Sequence, residues 1–495
     1  MAAREKKTTG AAGAKDVQAQ ECPAVEEPAE ILDRVAAIDV AKATGMVCTR
    51  VPHDTRAGRR VQKTWNVRAC YSGILELAGH LNCHGIQRVV LESTSDYWRI
   101  WFYLLESRGL QVWLVSARDV RNVPGRPETG KLDAIWLCKL NERGMLRASF
   151  VPPEEIRQLR GLTRLRASLT EDMAAGKKRA EKILEDSLVK MPVAVTDIFG
   201  VPGRAMLNDL ISGQRDPKVL ARHARGRMRA KTGQLEELLA GRFTGDHGYL
   251  IATLLTHIDA LQASINELTA KIEEHIAARL PLAGPVCTAC GIIGEHALGC
   301  AGEGTPLLPL LDRLDEIPGI GRHIGQVLIA ELGTGMSVFP TAGHLASWAK
   351  MTPRTIQSGA SIRHGRTGKG NPWLRSAPGD AAMAAGKTQT HLGDRHRSIR
   401  HRRGTQRALV ATGRGLLEIA RCLISDPAAR FTDLGAGYRD QLRGRDTTTR
   451  KIRELERANP GMKVTLTPIS PAAPPAAGQA AGLPGGDPSG VTVRA

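Results

Sequence analysis

The chain predicts a mixed α/β domain near its N-terminus, a helical connector, and a mainly helical, cationic domain beyond it. Two observations behind this are periodicities. Between residues 31 and 150 apolar stretches switch repeatedly from a spacing of two to helical spacing, and past residue 154 helical spacing dominates. The third is charge. Lys and Arg number 69 against 50 Asp and Glu, a formal net charge of +19. That balance favours a polyanionic partner, and a nucleic acid gains affinity from each neutralised phosphate by counterion release. At 495 residues the chain exceeds a single ordinary core, so two or three domains are expected.

The first segment, 31–150, opens with RVAAIDVA and GMVCTRV, two strands joined by a short turn, and TWNVRACY adds a third. YSGILELAGHLNCHG reads as a helix, IQRVVLEST as an apolar strand ending in a turn, and DYWRIWFYLLESRG as an amphipathic helix. LQVWLVSA is another strand and LDAIWLCKLNERG a closing helix. Three strands followed by alternating helix and strand is the order of the ribonuclease-H-like, or RuvC-like, fold, although unrelated α/β domains alternate in the same way.

The connector, 154–310, carries Ile156, Leu159, Leu162, Leu165, Leu169 and Met173 at helical spacing. Ile258, Leu261, Ile265, Leu268 and Ile272 follow a 3-4 heptad rhythm, so two long helices are expected to form an antiparallel coiled-coil arm suited to self-association. In a Gly-rich insert, Cys287, Cys290, His296 and Cys300 have a spacing that tetrahedral Zn²⁺ accepts, with free thiols as the default. The third segment, 311–430, opens with LDEIPGIGRHIGQVLIAELG, a helix-hairpin-helix pattern. There Gly319 and Gly321 would let backbone N–H groups approach a phosphate, though a turn between two core helices has the same pattern. A basic Gly-rich stretch and a cationic helix, RHRSIRHRRGTQRALVATGRGLLEIARCLI, follow.

Residues 1–30 and 458–495 are Ala/Pro/Gly-rich and aperiodic, and are expected to be disordered tails. No apolar run of about eighteen residues is present, which excludes a membrane-spanning helix, and the N-terminus lacks the apolar core of a secretory signal. Nine cysteines, an odd number in a long basic chain, fit a reduced cytoplasm better than a disulfide framework.

Three acids stand where chemistry is expected. Asp39 interrupts the apolar strand VAAIDVA, where a carboxylate is costly unless paired, hydrogen-bonded or on a metal. Glu92 ends the strand VVLEST, and Asp133 opens the helix LDAIWL. In a ribonuclease-H-like order the first and fourth strands and the closing helix converge at one edge, and clustered carboxylates there suit Mg²⁺. Taken singly, each has an ordinary role: a hairpin residue, a turn residue and a charge at a helix N-terminus. Ser358 lies in QSGASIRHGRTGKGN beside Arg354, Arg363, Arg366, Lys369 and Arg375, cations that suit attack on a DNA phosphate. The same loop also suits a phosphate contact in which Ser358 only donates a hydrogen bond.

AAIDVAKATGMVC, the stretch from VVLEST to NVPGR, LDAIWL and GMLRASFVPPEEIRQLRGLTRLR resemble the N-terminal half of insertion-sequence-110-type (110/116/902) transposases. IPGIGRHIGQVLIAELG, FPTAGHLASWAKMTPRTIQSGASIRHGRTGKGNPWLR and the following basic helix resemble their C-terminal half, in the same order. The resemblance implies a RuvC-like domain with a D-E-D-D acidic set, a coiled-coil connector and a C-terminal domain whose serine attacks DNA. It further implies a structured noncoding RNA that chooses DNA sites, a homo-oligomer (dimer or tetramer), and a nucleoid-associated place in a bacterial cytoplasm. Carried over by position, the acids are Asp39, Glu92 and, as the last, Asp133; the nucleophile falls on Ser358, ahead of Ser361. Two departures stand out. Gly130 occupies the third acid's place, with Glu128 nearby on a different face, and Pro378-Gly379 interrupts an expected helix. Both point toward an impaired copy, or toward a nucleic-acid-binding remnant; a RuvC-like junction nuclease using the acids alone is the rival enzyme.

Overall fold

The computed structural model describes residues 32–56, 58–92, 95–117, 130–279, 286–287, 304–305, 308–359, 361–438, 441, 451–459, 463–465 and 492–494. The tail at 1–30, nearly all of that at 458–495, Glu128 and the Cys287/Cys290/His296/Cys300 cluster lie outside them, apart from the backbone of Cys287. The chain forms two compact units, Met1–Val151 and Pro152–Ala495. Among the described cysteines Cys48, Cys70, Cys83, Cys138 and Cys422 are free thiols, and no described helix is long and apolar enough to cross a membrane.

The first unit is a five-stranded sheet with helices on both faces. Its strands are β1 (Val35–Val40), β2 (Thr44–Pro52), β3 (Arg60–Arg68), β4 (Arg88–Glu92) and β5 (Val112–Val115). They are ordered β3-β2-β1-β4-β5. The first three strands are antiparallel; β4 and β5 run parallel to β1. This is the ribonuclease-H-like order expected from the sequence. Alternation along β1 separates two cores. Ala36 and Ile38 face α1 (Tyr71–Cys83) and α2 (Trp98–Ser107), joining Ile74, Leu77, Leu81, Trp101 and Leu105. Val35 and Ala37 face α3 (Gly130–Glu142), joining Val90, Ala134, Leu137 and Cys138. Each large apolar side chain buried here contributes about 1.5–3 kcal/mol. The third strand starts at Arg60, not near Thr64 as the sequence suggested; its early residues are polar because β3 is an edge strand, and pairing of Arg60 with Pro52 sets its start.

In the second unit α4 (Glu154–Asp186) and α5 (Gly245–Arg279) run antiparallel. Ile258 touches Gly176, Arg166 Nη1 donates to Thr269 Oγ1 at 3.4 Å, and His275 meets Gln158 at 3.4 Å. The stripe expected on α4 needs correction. Ile156 and Leu159 are buried, but Leu165 is exposed, and the buried face continues through Thr163, Arg166, Gly176, Ala180 and Leu184. Small residues let the two backbones approach, and buried Arg166 bonds Gln326 Oε1 at 2.6 Å, so this seam is not an all-leucine one. Short helices between residues 191 and 239 close over the end of the pair around Leu184, Met191, Met206, Leu220, Leu235 and Phe243.

Beyond α5 come α6 (Leu310–Asp315), α7 (Arg322–Leu332), a hairpin of β6 (Pro353–Ser358) and β7 (Ser361–Thr367), then α8 (Pro372–Ala385), α9 (His391–Arg403) and α10 (Thr405–Ser425). The hairpin was not anticipated, since Gly, Ser and Thr break its apolar alternation. α8 runs unbroken through Pro378, which is buried, with its carbonyl against Gly413 of α10. Tertiary packing thus offsets the roughly 3 kcal/mol that proline costs inside a helix.

Candidate functional site

Strand register brings the first two acids together. β1 and β4 are adjacent and parallel, and Asp39 is the direct partner of Glu92. Partners on neighbouring strands lie about 4.8 Å apart and project to one face. Here that is the face of Val35, Ala37 and Val90, the one covered by α3. Glu92 is buried and Asp39 half-buried.

The third acid comes from the helix on that face. Near the C-terminal end of α3, Cys138 Sγ contacts the Val35 and Cys48 carbonyls at 3.6 and 3.5 Å, and the Glu142 carbonyl accepts from Leu32 N at 3.1 Å. Asn141 Nδ2 donates to the Ala36 and Arg88 carbonyls at 3.2 and 3.3 Å, at the N-terminal ends of β1 and β4. The helix therefore runs back along β1. Five residues, about 7.5 Å, lead from Cys138 to Asp133, toward the strand ends that hold Asp39 and Glu92. Asp133 is half-buried in the first turn. Gly130 is the first residue of α3, one turn before Asp133 and in line with buried Ala134, Leu137 and Asn141. Among the described residues no three His, Cys, Asp or Glu side chains form a group able to hold a metal ion. The register thus joins Asp39 to Glu92 and does not draw Asp133 into one closed set with them. Hard carboxylate oxygens in adjacent register positions do suit a divalent cation such as Mg²⁺, which takes one or two protein carboxylates and completes its shell with water and phosphate.

Ser358 ends β6 at the tip of the hairpin, opposite Ser361, with Gly359 at φ +55 in the turn. Every residue of β6 is exposed. Ile356 pairs with Arg363, so Ser358, Ile356 and Arg354 share a face with Ser361 and Arg363. Gly365 stands on this face too, where a Cβ would come 3.2 Å from Ile356 Cδ1 and 3.5 Å from Arg354 Cβ. Arg366 and Lys369 are exposed beyond it. Arg375, exposed in the first turn of α8, donates back to the Gly368 and Lys369 carbonyls of the loop after β7 at 3.2 and 3.4 Å.

The base of the hairpin is anchored by residues that sequence reasoning missed. Glu331 of α7 is fully buried and accepts from Arg164 at 2.7 and 2.9 Å, from Asn371 Nδ2 at 2.6 Å, and pairs with Arg160 at 3.2 Å. Asn371 also caps α8, accepting from the Trp373 and Leu374 amides. One carboxylate therefore ties the helical pair to the loop that leaves β7. The Asn371-Pro372 cap signature was readable; its partner was not.

Gly319 has φ +92, and a Cβ on it would meet Ala381 O at 2.3 Å and Ala385 N at 2.8 Å. Close packing on α8 requires this glycine. Gly321 is exposed at the N-cap of α7.

Two family models match the chain. One, described as Transposase and built on the DEDD domain of IS110 elements, matches residues 36–188; the other, described as Transposase IS116/IS110/IS902 family, matches residues 311–397. A curated relative, the "Insertion element IS110 uncharacterized 43.6 kDa protein" of Streptomyces coelicolor, is 36% identical over 140 residues, which is 27% of this chain. The chain spans 33% of that relative's length.

Proposed function

We propose that the chain is a DNA transposase of the IS116/IS110/IS902 kind, a site-specific recombinase of a bacterial insertion sequence; two matching family segments in the same order support this reading. The observation that carries this reading is the register pairing of Asp39 with Glu92, beneath a helix whose first turn holds Asp133. Asp39 and Glu92 would hold Mg²⁺, with Asp133 completing the set through water or phosphate oxygens. When bound, the ion supplies charge stabilisation at the reacting phosphate.

The residues of the hairpin supply the rest. The Ser358 hydroxyl attacks a DNA phosphorus and loses its proton; a serine–phosphate ester forms as the bond to the leaving sugar oxygen breaks, and that oxygen takes up a proton. One ester replaces another, so no external energy source is required. Arg354 and Arg363, on the serine's own face, neutralise charge on the phosphate, and Arg366 and Lys369 hold neighbouring phosphates. Arg375 acts by fixing the loop that carries Lys369. The N-terminus of α7 at Gly321 offers a further phosphate contact. A homo-oligomer, a guide RNA and a place on the bacterial nucleoid complete the proposal, resting on the family resemblance and on the charge of +19.

The second reading is a binding remnant without catalysis, and Gly130 favours it, standing where a further acid would face the same carboxylates. Junction PCR on cells carrying the parent element separates the two. Circle and target junctions from the chain as it stands support the transposase; junctions only after Gly130→Asp identify an impaired copy on a sound scaffold.

A further inference from the structure

The two family matches stop at residue 188 and resume at 311. Between them, the short helices that close the end of the α4–α5 pair carry a run of cations. Lys218, Arg222, Arg225, Arg227, Arg229 and Lys231 lie within fourteen residues, and all six are exposed. Packing sorts them outward. Leu220, Ala221 and Ala224 are buried in the local core; in the two-turn segment Gly226–Lys231 only Met228 packs against it, and no residue there is fully buried. Two nearby acids are committed elsewhere, Asp209 pairing with His223 at 2.7 Å and Asp216 capping the helix Pro217–Ala221, while Glu236 and Glu237 follow in the next helix. Among the described residues none of the six cations is ion-paired. The neighbouring Arg215 differs, for its guanidinium holds the Phe243 and Leu210 carbonyls at 2.9 and 2.6 Å and serves the fold.

Arg215 shows a cation used by the fold, bonded to backbone carbonyls. The six exposed cations, close together in sequence and without an ion-pair partner, concentrate positive charge that a polyanion stabilises. We propose that this cap is a phosphodiester-binding site, separate from the Ser358 hairpin, that grips the backbone of a nucleic acid without reading its sequence. Rigid short helices over a packed core hold the charges in place before binding, which limits the entropic cost of association. The proposal does not rest on the cleavage reading, since a chain that binds without cutting would use the cap equally.

The test uses the full chain and two fluorescein-labelled probes, a 30-bp mixed-sequence DNA duplex and an RNA hairpin of mixed sequence, titrated by anisotropy across a salt series. The variant Arg222→Gln/Arg225→Gln/Arg227→Gln/Arg229→Gln is expected to bind roughly tenfold more weakly or worse at 0.15 M salt. Its log–log salt slope on duplex DNA should fall by about 3–4, near 0.9 for each phosphate no longer neutralised. Weakening on DNA alone assigns the cap to DNA, on RNA alone to RNA, and on both to either backbone. The pair Arg227→Gln/Arg229→Gln lies where no side chain is buried, so it keeps the thermal unfolding midpoint while lowering the slope by about 2. Unchanged affinity and slope on both probes, in both variants, would overturn the proposal, whatever the outcome at Ser358.

Discussion

The two regions that would carry the chemistry are built in opposite ways. Asp39 and Glu92 are set by the register of two strands, one of them buried on both faces, and Asp133 by a helix bonded to those strands through Cys138 and Asn141. Ser358 stands at the end of a two-stranded ribbon whose whole first strand is exposed, including Ile356. An isolated hairpin is marginal in water. The acids are therefore held by the core, whereas Ser358 is held only through what anchors the ribbon's base. Ile356 and Ile362 stand exposed on this ribbon beside Arg354 and Arg363.

The largest effect expected is at Ser358, the proposed nucleophile. Ser358→Ala should lower formation of a covalent protein–DNA product by at least about 10³-fold, while Ser361→Ala leaves the product in place. The two changes compared on a denaturing gel settle which hairpin serine reacts. Next are the acids: Asp39→Asn or Glu92→Gln should cost about 10²–10³ in cleavage rate with DNA affinity within a few-fold of the parent. If either change weakened binding as much as cleavage, the contrast between a chemical sheet edge and a binding ribbon would collapse. Glu331→Ala removes the shared partner of Arg160, Arg164 and Asn371 and should destabilise the second unit by about 3 kcal/mol, read by denaturant unfolding. That figure sits at the low end because both arginines are partly exposed and retain solvent. The smallest effect is a gain. Gly130→Asp adds a carboxylate one helical turn before Asp133, and should tighten Mg²⁺ binding roughly tenfold in a calorimetric titration.

The sheet edge was legible because its two strands are short apolar runs, each closed by an acid, and its helix carries an apolar face. VAAIDV, RVVLE and the helix around LDAIWL announce themselves, and the strand order sets Asp39 beside Glu92. The edge strand β3 was harder, since Arg60, Gln62 and Lys63 carry no apolar signal. On α4 the expected stripe fails after Leu159, where the packing side passes to Thr163, Arg166 and Gly176; the leucines one residue away carry the apolar signal yet stay half-buried or exposed. The hairpin was invisible to periodicity because neither of its faces is buried. Glu331 illustrates the deeper limit. An acid inside LIAELG is costly to bury alone, and only tertiary contacts from residues up to about 170 positions away reveal what satisfies it.

The central claim is that Ser358 forms the link to DNA and that the acid pair is required for it. The most direct measurement is mass spectrometry of the purified chain after incubation with element-end DNA and Mg²⁺, digested to locate any attached nucleotide. The account predicts a phosphodiester-linked nucleotide on the peptide containing Ser358, absent in Asp39→Asn. Cleaved DNA with free ends and no attached peptide, or a link that survives Ser358→Ala, would contradict it.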